Sequence, residues 1–401
     1  MFLRAMKAYR TAAVITGLPA DAEGFGAPNV AGYSPTGCAA LAPQSVPGPF
    51  RTAKTLNVHI LHPLADRRWD DLVARHRHAS VFHQRGWLEA LSRTYGYEPL
   101  VLTNSPAGSA LESGMVVCRV SSWLTGTRLV SLPFTDHCEP LLNDPAETRT
   151  LTKWLRDECD RNRQQYVELR PLSEIQTTES GLKPIGSYWL HELDLGYGLE
   201  QIFRRLHKNS FQRKIRRAER ERLSYEVGRS RQLVDEFYQL LLMTRRRHHL
   251  LPQPRTWFIN LVECMSDKAE IRIARKCGTP IAAILSLRHR SLVVFKYGCS
   301  NAAFHSLGGI PFLFWKLIEE SKLSGAEKID LGRSELDHKG LVAFKDRLGA
   351  SKRLLTYYRY TNVGGRRETA PWQWRGFREI LCNLPDAFFS TAGSVLYRHM
   401  G

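Results

Sequence analysis

The sequence predicts an α/β protein with mixed sheets, built from two tandem copies of one domain. Three observations carry this. The order strand, helix, helix, three strands, helix, strand is read twice along the chain. Two helix tryptophans, Trp87 and Trp257, stand 170 positions apart, and two strand-end acids, Glu168 and Asp330, stand 162 apart. The length, 401 residues, is that of two domains rather than one. A near-constant offset with a repeated element order is the mark of a duplication.

The first copy begins where LNVHIL, residues 56–61, alternates as a strand does. Trp69, Leu72 and Val73 then fall at helical spacing, and Trp87, Leu88 and Leu91 form one face of a second helix. Strands follow at 99–103, 114–120 and 128–132, the last two joined by a turn near Gly126. Leu151, Trp154, Leu155 and Cys159 keep one face of a helix over 148–161, and strands at 166–169 and 188–193 close the copy. The second copy opens with a strand at 224–227. Leu233, Phe237, Leu240 and Leu241 line a helix over 232–246, and Trp257 starts another that runs to Cys264. Strands at 270–275, 281–288 and 292–298 come next, the first two separated by the turn signal Cys277-Gly278-Thr279-Pro280. An apolar helix at 309–321, a strand at 328–331, a helix at 340–348 and a strand at 353–360 complete it. The domain plan is a disordered Gly/Pro/Ala/Ser-rich leader at 1–55, a first domain at 56–195, a basic helical connector at 196–223, a second domain at 224–365 and a helical tail at 366–401.

Composition is that of a globular protein, with a formal net charge of +18 and a sequence pI near 9.7. That balance favours anionic partners such as phosphates, nucleic acid or an anionic membrane surface, and it says nothing of fold. The eight cysteines include no pair at C-x-x-C spacing, so they read as buried thiols of a cytoplasmic protein rather than a disulfide frame or a zinc site. No apolar run reaches the ~18 residues that span a bilayer. The apolar patch at 12–18 is short for a secretion signal and has no clear cleavage site after it. Patterns of hydrolase elbows, Walker A loops, zincins and dinucleotide folds do not occur.

The motifs are densest in the second copy. Ile329-Asp330-Leu331-Gly332-Arg333-Ser334 is followed by Gly340-Leu341-Val342-Ala343-Phe344-Lys345, then by Leu348-Gly349-Ala350 and Tyr357-Tyr358-Arg359-Tyr360. In order and spacing this ending resembles the FemAB-like branch of the GNAT superfamily of N-acyltransferases. Ser131-Leu132-Pro133-Phe134-Thr135-Asp136 and the basic stretch 207–222 fit the same resemblance, which covers about residues 56–362. It implies two tandem GNAT-like domains and transfer of an acyl or aminoacyl group to an amine of a cell-envelope or exopolysaccharide precursor. The donor, acyl-CoA or aminoacyl-tRNA, would be a co-substrate, with no tightly bound cofactor. One departure is visible. The stretch before the long helix, Phe304-His305-Ser306-Leu307-Gly308-Gly309, lacks the basic lead residue and first glycine with which acetyl-CoA-binding GNAT domains meet the pyrophosphate. Gly308 and Gly309 still open a helix N-terminus, where backbone N–H groups meet anions.

Candidate site residues follow, each beside its plainer reading. Arg333 and Ser334 come just after a strand that should lie mid-sheet, where α/β sheets bind ligands. Arg333 would hold a donor phosphate or a tetrahedral oxyanion, unless it merely pairs with Asp330 or Asp346. Lys345 would neutralise charge in the transition state, unless it is a snorkelling surface lysine. Tyr297 would position or protonate a leaving group, unless it packs with its hydroxyl satisfied. Asp136 would bind substrate, or serve with His137 as base and orienter; a loop cap is the alternative. Between Arg204 and Arg222, nine Lys/Arg face two Glu, a net +7. Within that run Lys208, Arg213, Lys214, Arg216 and Arg217 would grip phosphates of a donor, a nucleotide-linked precursor or tRNA; a solvated helix is the alternative. No metal site is expected. Two non-catalytic readings remain beside the enzyme: a tRNA- or DNA-binding module on an inert fold, and a membrane-peripheral scaffold. In the tail, Trp372, Trp374, Phe377, Phe388, Phe389 and Tyr397 suit a helical cap better than a membrane contact.

Overall fold

The computed structural model describes residues 57–176, 180–362 and 385–401. The expected leader, and Trp372, Trp374 and Phe377 of the tail, lie outside them. The first half runs β1 (His59–Leu61), α1 (Arg68–Arg75), α2 (Arg85–Tyr95), β2 (Glu98–Thr103), β3 (Met115–Val120), β4 (Arg128–Val130), α3 (Pro145–Arg161), β5 (Tyr166–Leu169) and β6 (Lys183–Asp194). A connector follows, with α4 (Leu199–Arg205), a π turn (Lys208–Gln212) and α5 (Arg213–Arg220). The second half runs β7 (Ser224–Gly228), α6 (Arg231–Arg247), α7 (Arg255–Met265), β8 (Ala269–Lys276), β9 (Thr279–His289), β10 (Leu292–Ser300), α8 (Gly309–Leu323), β11 (Lys328–Glu335), α9 (Lys339–Arg347) and β12 (Ser351–Thr361). Helix α10 (Asp386–Tyr397) comes last.

The twelve described strands form one sheet, in the order β1-β2-β3-β4-β5-β12-β6-β11-β10-β9-β8-β7. That order is a palindrome of the repeat. Each half contributes five strands in sequence order from its own edge, and the sixth strands, β6 and β12, change places at the centre. Thus β12 pairs with β5, while β6 pairs with β11 and β12, all antiparallel. The boundary expected after residue 195 therefore falls between elements that the sheet interleaves. Among the described residues only β4–β5 and β10–β11 are parallel, and their registers correspond: Val130 faces Glu168 as Val294 faces Asp330. The two acids found by their spacing thus occupy equivalent positions.

Helices α1, α2, α6, α7 and α10 share one apolar core on one face of the sheet. On the other face α3 covers the first half, and α5, α8 and α9 cover the second. The duplicated tryptophans meet at the seam. Trp87 and Trp257 are fully buried and edge-on, with ring centroids 5.3 Å apart. Gly86 permits this approach, because a Cβ there would stand 2.3 Å from the Cys264 carbonyl oxygen. Helix α8 is apolar on nearly every side, as a helix must be when it is sealed between a sheet and other helices. Helix α10 closes the seam rather than capping the second half alone. Tyr97 donates its hydroxyl hydrogen to the Tyr397 carbonyl at 3.0 Å, Arg128 donates to the carbonyls of His399 and Gly401, and Gly393 packs on the Pro252 carbonyl. Phe389 and Tyr397 are buried in this contact, and Phe388 is exposed.

The basic stretch 207–222 is helical from Lys208 to Arg220, its first turn a π turn, and extended backbone at Leu206–His207 separates it from α4. One local expectation changes. Arg333 and Ser334 lie within β11, which extends to Glu335 because its later residues pair with β6. Elsewhere α3 starts earlier, at the Asp144-Pro145 cap, and β6 starts earlier still, at Lys183.

Candidate functional site

The site forms around a bulge in β11. The parallel pairing of β10 with β11 ends at Val294 and Asp330, and the register against β6 shifts between Asp330 and Arg333. Gly332 takes a φ of 69°, which L side chains avoid. Three groups hold the distortion. Asp330 accepts the Gly332 N–H at 2.6 Å, and Lys345, reaching in from α9, donates to the carbonyls of Gly332 and Arg333 at 2.9 and 3.0 Å. The guanidinium of Arg333 is thereby aimed over the rings of Tyr188 and Tyr357, at 4.3 and 4.9 Å. The sequence Asp-x-Gly-Arg with its distant lysine is thus one mechanical unit. Lys345 is buried, not a snorkelling surface residue, and burial lowers its pKa to about 7; Arg333 and Lys296 push the same way, against Asp136 and Asp330.

The loop after β4 completes the cluster from the other half. Its Asp136 carboxylate lies 3.4 Å from Lys296 Nζ and 3.7 Å from Arg333 Nε, and its carbonyl accepts the Tyr357 hydroxyl. The next residue, His137, bonds through Nε2 to Asp330 at 2.8 Å. Asp136 and His137 are therefore not a pair with each other, and Arg333 pairs with Asp136 rather than with Asp330 or Asp346. Burial alone would raise the Asp330 pKa, but the hydrogen bonds with His137 and from the Gly332 N–H, with the charge of Lys345, hold it below its ordinary value. Lys296 is wholly buried against the rings of Phe82 and Trp87, and burial lowers its pKa in spite of Asp136. The cost of burying such charges is offset only where partners are supplied. Here most partners come from the opposite half.

The equivalent place in the first half is quieter. Glu168-Leu169-Arg170 stands where the second half has Asp330-Leu331-Gly332-Arg333, without the inserted glycine. Glu168 holds Arg170 at 2.8 Å and Arg359 at 2.6 Å, and Arg170 also reaches the Tyr357 ring, at 5.3 Å. Two equivalent arginines thus converge on one tyrosine across the exchanged strands.

Of the residues expected from sequence, Arg333, Lys345 and Asp136 meet in this cluster. Ser334 follows in β11; its buried Oγ has no hydrogen-bond partner among the described residues. Tyr297 does not join. Its hydroxyl accepts from Gln253 at 2.9 Å and Trp257 at 3.0 Å, in the helix layer. Lys208, Arg213, Arg216 and Arg217 are exposed on the connector, with Lys214 half-buried. Gly308 and Gly309 do open α8, but that terminus is buried. A Cβ on Gly308 would stand 2.4 Å from the Lys214 carbonyl oxygen, and one on Gly309 would stand 2.9 Å from Ala282 Cβ. The corresponding α3 N-terminus is open, on a groove of about 350 Å³ lined by Glu139, Asp144, Thr148, Arg149, Ser173 and Glu174. Sequence reasoning missed Lys296 and Arg170, and it gave Asp330 no more than a possible pairing with Arg333. A lysine inside the apolar run LVVFKYG and the ELR/DLGR echo were the available signals. No group of three or more His, Cys, Asp or Glu among the described residues is placed to hold a metal ion.

A family model described as an acetyltransferase (GNAT) domain matches residues 205–340. These span the connector through the bulged strand. Residues 205–340 thus have the sequence of a GNAT acetyltransferase domain. The structure as a whole is similar to that of FemX, with a TM-score of 0.60 and 13% identity over 74% of this chain and 95% of FemX. It is also similar to the C-terminal domain assigned to a lysylphosphatidylglycerol synthetase from Agrobacterium fabrum, with a TM-score of 0.50 and 17% identity over 73% of this chain and 90% of that one. No curated protein matches the sequence significantly. The GNAT match and these folds agree with the FemAB-like resemblance read from the motifs. GNAT domains use acyl-CoA as a co-substrate. Among the described residues no helix is long and apolar enough to cross a membrane.

Proposed function

We propose that this acyltransferase moves an acyl or aminoacyl group from an anionic donor to an amine of an envelope or exopolysaccharide precursor. The observation that carries the reading is the bulged strand at the β10–β11 splay. It holds Arg333 and Lys345 in a water-poor site beside the divergence of two parallel strands, where α/β sheets take ligands. The amine attacks the thioester or ester carbonyl, a C–N bond forms, and the C–S or C–O bond breaks. Arg333 supplies positive charge to the oxyanion of the tetrahedral intermediate, and that charge acts strongly because the site is desolvated. Lys345 keeps the arginine aimed. Asp136 fixes Lys296 and Arg333, and Ser334 lies next to the reacting region. Tyr297 is given no part, because its hydroxyl lies in the helix layer between Gln253 and Trp257. No covalent enzyme intermediate is invoked; positioning and electrostatics supply the rate.

The donor, acyl-CoA or aminoacyl-tRNA, brings phosphates. The buried α8 N-terminus offers them no open cradle, and the acidic rim of the α3 groove repels them. The exposed face of the connector suits them: Arg204, Arg205, Lys208, Arg213, Arg216, Arg217 and Arg220 all lie at the surface. The test is a mass-spectrometric screen of acyl-CoAs, acyl carrier proteins and aminoacyl-tRNAs against precursor amines. A precursor gaining one acyl mass in the presence of the protein is expected. Transfer confined to free small amines or to protein lysines would overturn the precursor assignment.

A further inference from the structure

We infer that His137, oriented by Asp330 across the seam between the halves, takes the proton that the acceptor amine must lose; this rests on the acyl-transfer reading. The geometry is that of a base and its orienter. His137 Nε2 lies 2.8 Å from Asp330 Oδ2, and the other oxygen of that carboxylate is committed to the Gly332 N–H. Asp330 therefore stays an anion and accepts from His137, which places the imidazole hydrogen on Nε2. Nδ1 is left with its lone pair, and it has no hydrogen-bond partner among the described residues although His137 is only 3% exposed. An unpaired buried nitrogen costs about 1–3 kcal/mol, so a fold that retains one has a use for it. The Phe82 ring meets the imidazole edge-on, with centroids 5.6 Å apart, and holds its plane.

The chemistry needs such a group. Amine attack on a carbonyl carbon leaves a positively charged nitrogen, and the amide forms only when that nitrogen loses a proton. The proton passes to His137 Nδ1, and the C–S or C–O electron pair leaves with the thiolate or alkoxide. The imidazolium then returns the proton to that leaving group, so that one amide and one thiol or alcohol are the products. The nearby cations, Lys296 from β10, Arg333 from β11 and Lys345 from α9, cannot serve while they hold carboxylates, carbonyls or aromatic rings. The other charged and titratable neighbours are Asp136, alongside, and His83, ahead of α2. The His83 side chain is itself bonded at Nδ1 by Ser80 and at Nε2 by the Glu139 carbonyl. The pairing also gives the first half a part in the chemistry, because its loop completes a site whose strand belongs to the second.

Two measurements decide the matter. Nitrogen-15 NMR of the imidazoles in the intact protein should show His137 protonated at Nε2 and bare at Nδ1, an arrangement lost in Asp330→Asn. The pH–rate profile should show kcat falling about 100-fold or more in His137→Gln, with little change in KM and without the acidic limb of the parent enzyme. A proton found on Nδ1 in the parent overturns the inference. So does a His137→Gln enzyme with kcat within about threefold and the same acidic limb. A parent protein inactive with every donor overturns the acyl-transfer reading and this inference with it.

Discussion

The two halves share a strand order and differ at the N-termini of their equivalent helices. In the first half α3 starts at an open groove, capped by Asp144, which accepts the Ala146 N–H at 2.7 Å. In the second half α8 starts under the connector, with two glycines where neighbouring atoms leave no room for a side chain. The strands beside these helices differ in the same sense. β5 pairs without a bulge and ends at Leu169, and the following Arg170 is tied to Glu168, while β11 inserts Gly332 and turns Arg333 toward the seam. Duplication supplied a frame, and local changes of one or two residues gave its copies separate work. The second half carries the charged strand, and the first supplies the loop that pairs with it.

The contrast between the helix starts has the largest expected effect on stability. Gly308→Ala places a Cβ against the Lys214 carbonyl at a φ of 77°, so a loss of about 3 kcal/mol is expected in denaturant unfolding. The matching change in the first half, Asp144→Ala, removes a cap and should cost about 1 kcal/mol. Equal costs would mean that the connector does not seal α8.

Lys345 gives a smaller effect with a definite sign. Its native pKa is about 7 and its ordinary value is 10.5. Between those values the unfolded chain binds the proton that the native protein has lost, so this residue makes stability rise as pH goes from about 7 toward 10.5. Lys345→Met should flatten that rise in unfolding midpoints measured across the range. An unchanged slope would place the lysine in water.

Much of the frame was legible because strand and helix periods are local. Trp69, Leu72 and Val73, or the alternation around Ile281–Arg288, declare their element without help from the rest of the chain. The repeat was legible for the same reason. The exchange of β6 and β12 was not, because the choice of a strand's neighbour depends on residues more than a hundred positions away. The site divides along that line. Arg333, Lys345 and Asp136 could be singled out from motifs, but the partners could not. His137 and Asp330 are 193 positions apart, and Lys296 sits in an apolar strand where a lysine is seen as an oddity before it is seen as a partner. Tyr297 shows the opposite failure: its place at the strand end looked chemical, and the strand turns its hydroxyl into the helix layer.

The division of labour between the halves is best tested with the two equivalent arginines. Steady-state kinetics of Arg333→Gln and Arg170→Gln would be compared, each normalised to folded protein, with the donor and amine found in the screen. Arg333→Gln should lose about 100-fold or more in kcat/KM. Arg170→Gln should be less stable yet remain within about tenfold of the parent. Equal losses, or the larger loss at Arg170, would contradict the placement of the chemistry at the bulged strand.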